Sequence, residues 1–336
     1  MMNMDVLDKM IIKQLLENSR ASYHSIARMY DVTCPTITYR VNRLRQIGVI
    51  QRFIAELSHK TMGVEWIIAE IKTEGGVSKT DLLQAFESHA CIGEVFMLGR
   101  NRYIILSEVY PEEKDEFVRC LKKLDKIDYI EISDVHPIST LGTDMNCKYT
   151  TSGECVSLSP TEIDVLRFLA IDARTPTKTI TDSTGYSTKL VRKIIRKFIK
   201  CTGVHLTLKL DLSQCGHINF ILHTRLQNMN VTPEEITHWI ASRYAYEHWF
   251  SLFAPRADNL LHYFTVHQAS DIERIIREVI KHPRIEDVEA TIIYSTFKSP
   301  GRTKEYLKEC NGNFLVEELQ LPSFPQEEHL APPIHF

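Results

Sequence analysis

The stretch "DVTCPTITYRVNRLRQIGVIQRF", residues 31–53, decides the reading of this chain. Thr33 is an N-cap, and Pro35 falls in the first turn after it, where a missing N–H costs nothing. The segment therefore starts a helix at a point where proline elsewhere would break one. Ile37, Val41 and Leu44 fall within about 60° of one another on the helical wheel and form a buried face. The other side carries Pro35, Thr36, Thr38, Tyr39, Asn42 and Gln46, with Arg43 and Arg45 on its flanks. Gly48 caps the C-terminus, and "VIQRFIAEL" then alternates as a strand pair or wing. Upstream, Leu7, Ile11, Ile12 and Leu15 recur at helical spacing, and Ser22 caps a short helix with Ile26 and Ala27 inward. Three short helices, a tight turn at Asp31-Val32 and a wing make a winged helix-turn-helix over 1–56. Amides and hydroxyls suit base edges and arginines suit phosphates, so double-stranded DNA is the expected partner.

A different grammar follows over 57–138. "EWIIAEIKT" (65–73) is a strand, "SKTDLLQAFESHA" (78–90) a helix, and "IGEVFMLGR" and "RYIILSEVY" (92–110) two strands. "PEEKDEFVRCLKKL" (111–124) is a helix and "IDYIEISDVHPI" (127–138) a final strand. The order β-α-β-β-α-β predicts a ferredoxin-like α/β sandwich and places the chain in the α+β class.

The whole unit then repeats at an offset of about 154 residues, beyond a linker at 139–157. "LLENSRAS" aligns with "LAIDARTP", Thr33 with Ser187, and Ile37, Val41 and Leu44 with Val191, Ile195 and Phe198. A second winged helix-turn-helix is expected over 158–211 and a second sandwich over 212–298, leaving 299–336 as a C-terminal extension in which "TKEYLKEC" suits a helix. Opposite Val191, Ile195 and Phe198 lie Lys189, Arg192, Lys193, Arg196, Lys197 and Lys200, with no acid among them. On a chain of net charge −3, that asymmetry points to local polyanion contact. The first head offers groups for base edges and the second mainly charge.

Composition narrows the alternatives. Eight cysteines are scattered without C-x-x-C spacing, so no metal site or cofactor is expected, and a redox switch at Cys147 and Cys155 is only weakly signalled. No run approaches the ~20 apolar residues of a membrane span, and the N-terminus lacks an apolar signal core, so a cytoplasmic location is expected. The linker keeps the second unit within reach of the first and raises its effective concentration.

Each half resembles a member of the leucine-responsive regulator (Lrp/AsnC) family. The carriers are "LLENSRASYHSIA" with Arg20, "VTCPTITYRVNRLRQIGVI" with Arg40 and Leu44, and "LSHKTMG" leading into the first sandwich. The resemblance implies a DNA-binding transcription regulator whose sandwich domains pair through their sheets and bind a small effector, often an amino acid; with two copies on one chain, it implies that the two sandwiches pair within the chain as a pseudo-dimer, and that the chain dimerises again into a homo-oligomer. The family's Gly-x-Tyr-Asp turn is altered here to "LGRNRY" (98–103) and "FAPRADN" (253–259). Gly99, Arg100, Asn101, Arg102, Arg256 and Asp258 are therefore either contacts for another ligand or plain turn residues. A rival from a different class shares the two-domain shape: a siroheme decarboxylase-like enzyme. It needs basic residues for carboxylate side chains and a proton-handling group, for which His238, His248, His262 and His267 are candidates. The cationic helix has no purpose in such an enzyme.

Overall fold

The computed structural model describes residues 4–74, 91–99, 101–122, 127–138, 155–227, 232–255, 259–298 and 302–310. The expected helix at 78–90 lies outside them. In α1 (Val6–Glu17) the carboxylates of Asp5 and Asp8 each accept from the other's backbone N–H, a closed capping box. Ser22 caps α2 (Tyr23–Met29) and Thr33 caps α3 (Cys34–Gln46), with Pro35 in its first turn. Ile37, Val41 and Leu44 are fully buried. Gly48, at φ 82°, ends α3 in the left-handed conformation that favours glycine.

The strand that follows is not a local wing hairpin. β1 (Ile50–Leu57) finds its partner in the second half of the chain. The sandwich after it comprises α4 (His59–Met62), β2 (Glu65–Thr73), β3 (Ile92–Leu98), β4 (Arg102–Val109), α5 (Lys114–Lys122), β5 (Ile127–Asp134) and β6 (His136–Pro137). The second half starts again with α6 (Pro160–Ile171) on a Ser159/Glu162 capping box, α7 (Thr177–Thr184) and α8 (Thr188–Lys200), capped by Ser187. Then come β7 (Val204–Leu210), β8 (Ile218–Leu226), α9 (Pro233–Arg243), β9 (His248–Ala254), β10 (Asn259–Val266), α10 (Ala269–Val279), β11 (Ile285–Lys298) and α11 (Arg302–Glu309).

β1 and β7 pair antiparallel from Ile50↔Leu210 to Leu57↔Val204 and join the two heads. The pairing is framed by reciprocal bonds. Ser58 N–H donates to Gly203 and Asp211 N–H to Val49; Ser19 N–H donates to Leu206 and Ala173 N–H to Phe53. Arg20 donates to the carbonyls of Ala173 and Thr175, and Arg174 to that of Ala21. Each head thus completes the other about an approximate two-fold.

The other strands form a nine-stranded sheet ordered β5-β2-β4-β3-β11-β8-β10-β9-β6. Its first four strands have the ferredoxin-like order, the next four repeat it, and the β3–β11 seam joins them. The single strand expected over 127–138 is broken at Val135. There Val135 N–H bonds to Trp66 and its side chain is buried, while His136 and Pro137 cross to pair with β9 of the other sandwich. A proline with no N–H suits so short an edge strand. The sheet therefore returns on itself, its first and last strands separated by Val135 alone.

Alternation along the strands sorts two faces. Ile67, Ala69, Ile71 and Ile105 pack with Phe117 and Leu121 in one outer core, and Phe220, Leu222 and Phe264 with Ile240 and Ile275 in the other. The inner faces meet: Trp66, Ile68, Phe96 and Leu106 share a core with Ile221, Phe250, Leu261 and Tyr263, continuous with both heads. Across that seam the Phe96 and Tyr263 rings are 5.8 Å apart.

The C-terminal helix α11 docks where head and sandwich meet. Buried Arg167 of α6 donates to the carbonyls of Leu307 and Cys310, at 2.9 and 2.8 Å. Thr303 Oγ1 accepts from the N–H of Leu57, and Arg302 donates to the carbonyl of Glu108 and pairs with Glu113.

Candidate nucleic-acid interface

The exposed face of α3 carries Pro35, Tyr39, Asn42, Arg45 and Gln46, with Tyr39 at 64% exposure. Thr36 and Thr38 are half-buried. Thr36 shares a hydroxyl bond with the cap residue Thr33, and Thr38 donates back to the carbonyl of Cys34 at 3.0 Å. Arg45 leans over the Phe53 ring, 5.8 Å from its centroid.

Arg43 takes a different place from the one expected on the flank of the reading face. It pairs with Asp8, whose side chain is fully buried, and Arg40 joins it at 3.0 Å while reaching Asp5 at 2.6 Å. The second head repeats the device: Lys197 pairs with Glu162 at 2.6 Å. Asp8 and Glu162 are both the third residue of their first helix, so the two pairs occupy equivalent positions. Burial works to raise the pKa of Glu162, but the Lys197 ammonium and the Ser159 N–H outweigh it and hold the carboxyl below its ordinary range. Arg43 and Lys197 thus clamp each third helix to its first helix in the DNA-free chain.

All six cations of α8 are exposed over a buried face of Val191, Ile194, Ile195 and Phe198. Lys189, Arg192, Lys193, Arg196 and Lys200 have no ion-pair partner among the described residues. Such a face attracts a polyanion.

Of the turn residues, Asn101 (φ 58°) is exposed at the tip, and Gly99 lies under Tyr294, whose ring a Cβ there would meet at 3.2 Å. Arg102 points elsewhere, into a cleft of about 200 Å³ between the inner faces of the two sandwich sheets. Arg100, Arg256 and Asp258 lie outside the described residues. The cleft also holds residues that the sequence reading passed over: Glu70, Glu131, His223, Arg225, Asp287 and Glu289. Each sits on the inward side of a strand, where a single charged residue reads as a solvated one. Burial raises the pKa of Glu70; Arg102 opposes the shift, and Glu131 and Glu289 add to it.

The candidate histidines do not converge on this cleft. His248 and His262 are buried and spent on a chain running through Ser251 (2.8 and 2.6 Å) to Thr224 (3.1 Å). His238 and His267 are exposed. Among the described residues no group of three or more His, Cys, Asp or Glu side chains is arranged to hold a metal ion. The cysteines among them are free, with Cys147 outside the description. No described helix is long and apolar enough to cross a membrane.

Comparison with known proteins agrees with this geometry. Residues 4–51 match the winged helix-turn-helix DNA-binding family. An uncharacterized HTH-type transcriptional regulator of Pyrococcus furiosus is 30% identical over 138 residues, which take up 40% of this chain and 90% of that relative. One of Pyrococcus horikoshii is 32% identical over 141 residues, 41% of this chain and 87% of its own length. This chain is thus more than twice as long as either. Among solved structures, the siroheme decarboxylase NirDL is 9% identical with a TM-score of 0.56, covering 90% of this chain and 96% of that one. At that identity the likeness is one of fold.

Proposed function

Because the chain belongs to the helix-turn-helix transcriptional regulators, we propose that it is a regulator of the Lrp/AsnC type with two units fused into a built-in pseudo-dimer. The exposed, acid-free cation face of α8 carries this reading. The β1–β7 pairing supports it, because it makes one body of two heads. The two heads divide the work. Asn42, Tyr39 and Gln46 of α3 address base edges, and Lys189, Arg192, Lys193, Arg196 and Lys200 of α8 address phosphates. Because the heads differ, the preferred site is an imperfect palindrome with half-sites one helical turn, ~10 bp, or a multiple apart. The fused chain assembles further into a dimer of pseudo-dimers, and a small effector acts at the sandwiches.

Binding to duplex DNA in a salt series tests the reading. With five to six phosphate contacts, the plot of log affinity against log salt has a slope of about −5. No detectable binding to any duplex at low salt refutes it.

The whole-length fold match favours a second reading, the decarboxylase-like enzyme. Its substrate carries many carboxylates, whereas the described lining of the inter-sheet cleft holds four acids against two arginines. The cleft, at about 200 Å³, is also below the ~300–1,000 Å³ usual for larger organic ligands. Titration with an iron porphyrin, followed by absorbance, separates the two. A saturable spectral shift at one ligand per chain favours the enzyme.

A further inference from the structure

The inter-sheet cleft is built from both halves of the chain. Glu70 of β2 and Glu131 of β5 face Asp287 and Glu289 of β11. Arg102 is stretched between the halves, 3.6 Å from Glu70 and 3.9 Å from Glu289, and neutralises neither fully. Arg225 is taken by Asp287 at 3.1 Å and Glu286 at 3.4 Å. Glu131 has a hydrogen bond from the Tyr129 hydroxyl at 2.5 Å and no cation partner among the described residues.

His223 supplies an independent observation. It lines the same cleft, yet its Nε2 is shut off from solvent and has no hydrogen-bond partner among the described residues. Burial, with Arg102 nearby, pushes its pKa down to about 4, so it is neutral at pH 7. Four carboxylates against two guanidiniums then leave the described lining two charges negative. Excess charge of one sign attracts a counter-charge.

We infer that this cleft binds a small organic diamine that bridges the two sandwiches, one ammonium on the Glu70/Glu131 side and the other on the Asp287/Glu289 side. His223 Nε2 accepts an N–H from it. The volume of about 200 Å³ holds a chain of a few heavy atoms and no macrocycle. One acid pair per half suits a cation at each end better than a monoamine. A dicarboxylate or a haem-type tetrapyrrole meets repulsion. The diamine ties together the inner faces of the two sandwiches, and its consequence for DNA rests on the regulator reading; the binding itself does not.

Calorimetric titration of the full chain with 1,4-diaminobutane at low salt is the test. Saturable binding at one per chain is expected, with none for pentanedioate, a dicarboxylate of similar length. Glu70→Gln, nearly isosteric, weakens binding about tenfold or more. If that variant does not fold, Glu131→Gln, on the open rim, takes its place with the same expectation. No diamine binding, equal binding by wild type and variant, or equal binding of pentanedioate overturns the inference. Duplex binding by the same preparation reports on the regulator reading separately. DNA binding without diamine binding sinks the cleft alone, and the converse sinks the regulator alone.

Discussion

The two heads share a scaffold and differ in what they present. Both third helices start on a hydroxyl cap, bury an apolar stripe and are clamped through a basic residue to the first helix. On that common frame α3 displays Tyr39, Asn42, Gln46 and Arg45, whereas α8 displays lysines and arginines. The clamps differ too. Asp8 is fully buried beneath two arginines, while Lys197 over Glu162 is nearly half exposed. A buried ionic clamp is costly to break and a solvated one is not. Scaffold and display are therefore separable, and fusion lets each head change its display alone.

The heaviest blow to that comparison is expected from acid. His205, His217 and His223 have pKa values lowered to about 4 and His262 to about 3, burial leading in each case; His248 is shifted the same way. All five lie in the second half. Below pH ~6.5 the unfolded chain takes up protons that these buried rings refuse, so stability falls as pH drops from there towards 4. At ~1.4 kcal/mol per pKa unit the total is on the order of several kcal/mol by pH 5. Urea unfolding at pH 7 and 5, with hydrogen exchange to locate the loss in 204–266, checks this. A flat profile, or earlier loss in the first half, contradicts it.

Next in size is removal of charge from α8. Arg192→Ala, Lys193→Ala, Arg196→Ala and Lys200→Ala together should lower affinity for every duplex by about two to three orders of magnitude near 0.1 M salt and flatten the salt slope by about 3–4. Fluorescence anisotropy on specific and random duplexes reads both. A loss confined to one sequence would exchange the assigned roles of the heads. The clamps come third. Asp8→Ala should destabilise by about 3 kcal/mol, because Arg40 and Arg43 are left facing a hole, and Glu162→Ala by about 1 kcal/mol or less. Equal costs in chemical denaturation would show that burial does not distinguish them. The smallest effect is the most specific. Asn42→Ala should cost ~1–3 kcal/mol on the preferred site and almost nothing on random DNA. An equal loss on both would remove α3 from base reading.

The heads were legible because their information is local. The Thr33 cap, the Pro35 start, the Gly48 stop and a stripe at 3.6-residue spacing are all written between positions 33 and 48. Partners were not. The alternation in "VIQRFIAEL" gives a strand and its faces, but says nothing about which edge it meets, and its partner lies some 150 residues on. Arg43 looks like a phosphate contact until Asp8, 35 residues upstream, is folded against it. The cleft was hidden for the same reason. Glu70, His223 and Glu289 lie in three strands far apart in the chain, and only the return of the sheet on itself brings them to one place. Arg102 was reached from the altered turn, and Val135 gave no warning that a strand would break there.

The order in which the sheet closes bears on how the chain comes off the ribosome. β1 must wait for β7 and β3 for β11, so the first half emerges with two unpaired strand edges and half of a shared core. Long-range pairings of this kind fold slowly and leave sticky intermediates. α11, the last of the described helices, fastens Leu57, Glu108 and Arg167 together. A ribosome stalled before residue 302 would hold a nascent chain whose first sandwich and second head had yet to be latched together. Latching of the two halves thus waits for residues 302–309, which lie some 245 residues after Leu57.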